Sequence, residues 1–304
     1  MRKVLPGLLI GLGAFLVAAA IVCLTWVPGQ VERTPLGTDN TTALSGTASV
    51  LGDPEGPVLA WSENKVDSDV SDDKNVVFNT SLCVVHDDGN IDGCVKGDDK
   101  RLINAETAQF VADRHTAETV KNGDYLPADA PQMEGLQNKW PFDAQKKTYP
   151  VWDGIVGAAV DADYVGEDSI DGLKVYKYEY TANVGPVNLV GDINGTYFAT
   201  YDFYIEPKTG SIINQEVHDQ RIASGVETIL DLKLAFTDDQ VQSNVDDAND
   251  AIATLNLLEK TIPIVGLAVG IPVLLIGIVL LVLGRRRGKA APPAAAESKE
   301  PANV

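Results

Sequence analysis

Three histidines, His86, His115 and His218, and three cysteines, Cys23, Cys83 and Cys94, are the side chains most able to serve as nucleophile, base or soft metal ligand in this chain of 304 residues. Nucleophilic catalysis needs a nucleophile, a base and a group that orients the base. Each histidine stands in a polar, turn-like or β-like context, and no Gly-x-Ser-x-Gly elbow occurs. Nor is there a Walker loop, a Gly-x-Gly-x-x-Gly run, or a His or Cys pair at zinc spacing. Adjacent acids such as Asp72-Asp73, Asp98-Asp99 and Asp246-Asp247 arise by chance in so acidic a chain and carry no acid–base signal. The pattern predicts a protein that is not an enzyme and takes no cofactor.

Cys83 and Cys94 bracket a stretch in which Asp87-Asp-Gly-Asn90 lies among β-favouring Leu82, Val84, Val85 and Val95. Turn formers between strand formers, outside the reducing cytoplasm, predict a disulfide closing a hairpin. The same stretch spaces Asp88, Asn90 and Asp92, with Asp99 at the twelfth place, as a calcium loop spaces its oxygens. The bidentate Glu of that position is missing, Lys96 stands where a ligand or its water belongs, and the hairpin alone accounts for the Asp and Gly content. Calcium is the weaker of the two readings.

These residues sit between two apolar blocks. Val4 to Val27 is 24 residues without a charge and Ile262 to Leu283 is 22; a bilayer core about 30 Å thick needs roughly 20 helical residues. The first exceeds the roughly 7–15 residues of a signal-peptide core, so it reads as an uncleaved anchor, with Trp26 at the interface and Cys23 as an apolar span residue. Arg2 and Lys3 precede it, and Arg285, Arg286, Arg287 and Lys289 follow the second block. The positive-inside rule then places both termini in the cytoplasm and residues 28–261 outside, at the plasma membrane. The expected division is residues 1–3 cytoplasmic, 4–27 span 1, 28–135 a first β-rich subdomain, 136–261 a second ending in an amphipathic helix, 262–283 span 2, and 284–304 a disordered cytoplasmic tail.

Acid outweighs base by 43 to 24 over the chain, for a net charge of -19, and residues 28–261 hold 41 of those acids. Such a surface repels nucleic acid and is solvated. Within it, Tyr176, Tyr178 and Tyr180 alternate with Lys177 and Glu179, which predicts a strand over residues 173–181. Tyr197, Ala199, Tyr201, Phe203 and Ile205 share a face, Glu206-Pro-Lys-Thr-Gly210 turns the chain, and Leu230, Leu232, Leu234 and Phe236 share another. After them Thr237-Asp-Asp-Gln240 reads as a capping box, with Val241, Val245, Ala248, Ile252 and Leu255 at helical spacing up to Pro263. Asp113-Arg-His-Thr-Ala117 repeats the order of Glu206-Pro-Lys-Thr-Gly210 and suggests one hairpin used twice, against a helix over residues 106–120. The fold class expected is α+β, β-dominated: curved antiparallel sheet in an extracytoplasmic domain held between N- and C-terminal transmembrane helices. A β-sheet face this apolar is covered either by its own chain or by a ligand, and Tyr176, Tyr178, Tyr180, Tyr197, Tyr201, Phe203, Leu230, Leu232 and Leu234 are the ligand-facing candidates.

Several phrases together resemble the actinobacterial PorA family over nearly the whole chain: the Arg-Lys-led span, Lys139-Trp-Pro-Phe-Asp-Ala-Gln-Lys-Lys-Thr-Tyr-Pro150-Val-Trp-Asp, Tyr164-Val-Gly-Glu-x-x-x-Asp-Gly-Leu-x-Val-Tyr176, Ile205-Glu-Pro-Lys-Thr-Gly210 and the terminal span followed by Arg. Residues 160–236 also resemble mycobacterial lipid-carrying lipoproteins and LolA-like half-barrels, in which a curved sheet wraps a helix layer around an acyl chain. The resemblance implies a lipid-binding envelope protein. The family's name implies a porin, yet two apolar helices enclose no water and the outer strands lack a lipid-facing band with aromatic girdles, which leaves an oligomeric pore as the porin-like alternative. An extracytoplasmic scaffold docking another envelope protein is the other reading.

The topology is open to a direct check. A reporter attached at residue 290 reports from the cytoplasm if both termini lie there; activity outside the cytoplasm overturns the orientation.

Overall fold

The computed structural model describes residues 4–224 and 227–288, in two units: one takes in the chain up to Val31 and from Thr254 onward, the other is Glu32–Ala253. In the larger unit alternating side chains and turn residues give ten strands: β1 (Asp39–Val50), β2 (Gly56–Val66), β3 (Asn75–His86), β4 (Leu102–Asp113), β5 (Tyr149–Asp153), β6 (Ala158–Ile170), β7 (Leu173–Val190), β8 (Ile193–Ile205), β9 (Ile212–Ala223) and β10 (Glu227–Phe236). They form one antiparallel sheet in the order β4-β3-β2-β1-β10-β9-β8-β7-β6-β5. The sheet curls into a half-barrel with β4 and β5 at its edges, the α+β class read from the sequence. The strand predicted at residues 173–181 runs on to Val190, and residues 106–113 belong to β4 rather than to a helix.

Register decides which side chains share the inner face. Leu44 on β1 stands opposite Phe236 on β10 and Ala60 on β2, and Ala60 stands opposite Val84 on β3. The next row along pairs Leu234 with Val217, Val217 with Tyr201 and Tyr201 with Tyr180. Because strand side chains alternate with a period of two, these rows carry the predicted Tyr, Phe and Leu residues onto one surface. Where β1 and β10 meet, Gly46 has no alternative: a Cβ there would stand 1.8 Å from the carbonyl oxygen of Lys233.

A strap between β4 and β6 folds back over the β6–β8 part of this face. Its Leu136, Trp140, Ala144, Tyr149 and Val151 pack with Tyr178, Tyr180, Tyr197, Phe203 and Ile205 in one buried cluster. Backbone bonds from Trp140 to Gly210, Asp143 to Lys208 and Ala144 to Pro207, at 2.7–3.1 Å, pin it to the β8–β9 turn. Gly210 is required twice over, by its φ of 72° and because a Cβ would stand 2.1 Å from the Trp140 carbonyl oxygen.

The turns that aim these elements share one local design. The Glu206 carboxylate accepts the N–H groups of Lys208 and Thr209, and Gly210 N–H donates to the Glu206 carbonyl. Asp113 does the same for His115, Thr116 and Ala117, the last at φ 58°, as the repeated sequence order suggested. Asp153 does it a third time for Ile155, Val156 and Gly157.

Helix α3 (Asp238–Asn256) begins where Thr237 Oγ1 accepts the Gln240 N–H at 3.2 Å, half of the expected capping box. The reciprocal half is absent, because Gln240 Oε1 accepts the N–H of Ala43 on β1. Val245 and Ala248 bury against Leu173, Val175 and Ile213.

In the smaller unit, α1 (Leu5–Thr25) and the short α2 (Pro28–Val31) precede the larger unit in sequence, and α4 (Ile262–Gly288) follows it. Two helical stretches are long and apolar enough to cross a membrane, Leu5–Thr25 and a part of Asp238–Arg285. α1 and α4 pack closely at small residues, a Cβ on Gly13 falling 2.5 Å from the Leu274 nitrogen. Pro263 stands in the first turn of α4, as its tolerance there allows, but no break precedes it. The helix runs through it by way of a π turn at Leu257–Thr261, where Ile262 N–H bonds Leu257 O. Proline lacks a donor and its ring crowds the carbonyl four residues back, and the wider turn relieves both.

Cys83 and Cys94 form a disulfide with Cα atoms 5.9 Å apart and a sequence separation of 11. Loop closure of that length stabilises the folded state by roughly 2–3 kcal/mol. The double variant Cys83→Ser, Cys94→Ser should therefore lower the unfolding free energy by that amount, and the denaturant midpoint with it, as reduction of the parent protein should; an unchanged midpoint contradicts it.

Candidate functional site

Curling leaves the inner face with more side chains than the strap covers. The uncovered part, bounded by β1–β4 on one side and β8–β10 on the other, is a groove of about 920 Å³, near the top of the roughly 300–1,000 Å³ common for small-molecule sites. Gln240, Ser243, Asn244 and Asp247 of α3 line one part of it. Gln137, Asn138, Lys139 and Trp152 from the strap line another.

Seven of the nine ligand-facing candidates are in its wall: Tyr180, Tyr197, Tyr201, Phe203, Leu230, Leu232 and Leu234. Tyr178 and Tyr176 are elsewhere. Tyr178 is 0% exposed, with its ring 5.5 Å from that of Trp140 and its hydroxyl donating to the Gln145 carbonyl at 2.7 Å. Tyr176 packs edge-on to Tyr164 with the Lys146 and Lys174 ammonium groups over its ring. The opposite wall, with Leu44, Leu82, Val84, Ile103, Phe78 and Phe110, was not singled out from the sequence. The signal was present in the alternation Val76, Phe78, Thr80, Leu82, Val84, which the hydroxyl of Thr80 interrupts.

Polar groups are built into the deep corner. Asp153, 4% exposed, accepts the hydroxyls of Tyr197 at 2.9 Å and Tyr180 at 3.1 Å on one oxygen and the Ile155 and Val156 N–H groups on the other. Burial pushes the Tyr178, Tyr180, Tyr197 and Tyr201 phenols up, so each remains a neutral donor. Asp219, also 4% exposed, takes the Arg221 guanidinium with contacts of 2.7–3.2 Å, and that partner holds Arg221 charged against its own burial. Lys139 donates to the carbonyls of Trp140 and Thr209 and lies 3.7 Å from the centre of the Phe142 ring.

The other chemistry-bearing residues lie outside the groove. None of the three histidines lines it. His218 pairs with Asp231 at 2.9 Å, and His115 Nδ1 meets the Glu32 carbonyl at 2.7 Å. Of the calcium-spaced residues, Asp99 and Asp88 direct carboxylate oxygens at Arg101, at 2.8 and 3.2 Å, and Arg101 holds Asp99 down to about 2. Asp88 Oδ1 accepts the Asn90 N–H, and among the described residues no group of three or more His, Cys, Asp or Glu is placed to hold a metal ion.

Comparison with known proteins brings in a family. The profile described as Porin PorA matches residues 5–279. A Porin PorA of Corynebacterium amycolatum is 33% identical over 131 residues, 39% of this chain and 32% of the relative. A Porin PorA of Corynebacterium resistens is 28% identical over 233 residues, 62% of this chain and 54% of the relative. The chain thus spans about a third to a half of the length of these relatives. Among solved structures, the LolA superfamily protein NE2245 from Nitrosomonas europaea is 9% identical, with 72% of this chain and 94% of that one covered, at a TM-score of 0.14, too low to establish a common fold.

The strap lysine makes the site sensitive to pH. Burial pulls the Lys139 ammonium down to about 7, with Glu206 opposing. Unfolded, the same group titrates near about 10.4, so between those values the unfolded chain holds a proton that the folded chain does not, and stability rises with pH across that window. Lys139→Met should flatten the rise in denaturant midpoint between pH 7 and 9, where the parent gains up to about 1.4 kcal/mol per pH unit. Parallel profiles contradict it.

Proposed function

The chain belongs to the Porin PorA family, and from that premise we propose that it is a non-enzymatic, two-pass membrane protein whose outer β domain shelters a lipid-like ligand in the inner groove. Membrane residence itself follows from the family and the two apolar helices. In this reading both termini are cytoplasmic and residues 28–261 face outward from the plasma membrane. Residues 28–135 supply one wall of the groove, and residues 136–261 supply the other together with the strap.

The observation that carries the proposal is an unfilled groove with an apolar floor. Leu44, Val84, Leu230, Leu232 and Leu234 pack into one buried cluster with Leu82, Ile103 and Val217 half-buried against it, and this cluster, with Tyr201 and Phe203, lines a groove of about 920 Å³. The apolar atoms that this lining still exposes gain free energy when an apolar chain displaces water from them, roughly 25 cal/mol per Å² buried. A scaffold that docked a partner through its polar exterior would have no use for such a groove. The ten-stranded sheet is open at β4 and β5, so these strands close no barrel. That arrangement suits a shelter more than a conduit.

Native mass spectrometry with lipid extraction, on residues 30–260 purified from a host whose envelope carries lipids, tests the proposal. One bound lipid per chain is expected, together with a loss of about tenfold or more in occupancy for Ser62→Trp, which plugs the groove from its half-buried wall. A lipid-free mass that stays unchanged after incubation with envelope lipids sinks it.

A further inference from the structure

Apolar walls account for the tail of a ligand, and the groove also carries information about its head. Five carboxylates line it, those of Asp39, Glu106, Asp153, Asp219 and Asp247, against only two cations, Lys139 and Arg221. Both cations are engaged, Arg221 on Asp219 and Lys139 on two backbone carbonyls and the Phe142 ring. Of the carboxylates, Asp39 pairs with Lys65 at 2.6 Å and Asp153 accepts two hydroxyls and two N–H groups, so Glu106 and Asp247 are the acids that carry the groove's excess negative charge. No positive charge lining the groove is left to receive a phosphate, and an anionic head would enter a field of its own sign.

The remaining polar lining is neutral. Eight carboxamides face the groove, from Asn40 and Asn64 on the β1–β2 wall to Asn104 on β4, Gln137 and Asn138 on the strap, Gln215 on β9, and Gln240 and Asn244 on α3. Among the described residues the Gln137 amide nitrogen is a buried donor without a hydrogen-bond partner. Asn138 bridges to Asn64 at 3.0 Å, and Asn104 to Glu106 at 2.7 Å. Carboxamides and carboxylates each offer acceptors, and carboxamides donate as well, so together they match vicinal hydroxyls, which both donate and accept. Tyr201, half-buried, supplies flat aromatic surface beside them.

Building on the reading of the groove as a lipid site, we infer that it selects an amphiphile with an uncharged, hydroxyl-rich head, a glycolipid, and rejects anionic phospholipids. Glu106, Asp247 and the carboxamides hold the sugar hydroxyls, and the leucine rows take the acyl chain.

The test uses the full chain in phosphatidylcholine nanodiscs with two photoactivatable probes that share one diazirine-bearing acyl chain, one on a glucoside head and one on phosphatidylglycerol. Crosslinks are mapped by mass spectrometry to peptides containing Tyr201 and Leu232. The glucoside should label them about tenfold or more over the phosphatidylglycerol probe. The Glu106→Lys variant, altered at an exposed position, should raise phosphatidylglycerol labelling. A smaller or reversed preference, or no response to Glu106→Lys, overturns the head-group inference and leaves the groove standing as a lipid site. Absence of groove labelling by either probe overturns both.

Discussion

A sheet curled over ten strands has an inner face too broad for its own side chains to fill, and the rest of the structure answers that constraint. The strap answers half of it. Trp140 wedges between Tyr178 and Phe203, with ring centres 5.5 and 4.8 Å away, and aromatic pairs at such distances add about 0.5–1.5 kcal/mol each beyond the area they bury. Three backbone bonds to the β8–β9 turn hold the wedge in place. At the strap's far end Asp153 ties together two tyrosine hydroxyls and its own turn. Removing that carboxylate would leave buried donors unpaired, which costs more than a net hydrogen bond is worth. The half that the strap leaves uncovered is the groove.

The same constraint explains why sequence reasoning succeeded for the second half of the chain and fell short in the first. Alternation of Tyr176, Tyr178 and Tyr180, and of Leu230, Leu232 and Leu234, is undisturbed and marked both strands and their faces. Alternation alone cannot tell a residue covered by its own chain from one facing open space. Tyr178 and Tyr180 are two residues apart on one face, yet Tyr178 lies wholly beneath Trp140 while Tyr180 reaches the groove. That distinction is set by where a segment some 40 residues upstream folds back, a long-range fact with no local signature. Two of the acid-capped turns were more legible, those at Asp113 and Glu206, because an acid at the first place, Thr at the fourth and a small residue at the fifth recur in both; the third, at Asp153, holds Ile155 and Val156 between its ends and lacks that pattern. Gln240 shows the limit from the other side: its spacing from Thr237 fits a capping box, and a strand backbone 197 residues away claims its side chain.

Chemistry and electrostatics point the same way. The acid excess of the chain is concentrated between the two apolar helices, and within the groove it is accompanied by carboxamides rather than by free cations. The disulfide lies between β2's neighbour β3 and the loop toward β4, so it secures the edge of the wall that carries Leu82 and Val84. The family and the two apolar helices make this a membrane protein, and the proposed ligand role rests on the half-covered sheet.

The most direct test of the half-covered face is thiol accessibility in the full chain carrying Cys23→Ser. Val217→Cys sits in the groove wall and Ile205→Cys beneath the strap. The account predicts that the first reacts with a small thiol reagent about tenfold or more faster than the second, and slows when envelope lipid is added. Equal protection at both positions would mean a face filled from end to end, with no room for a ligand.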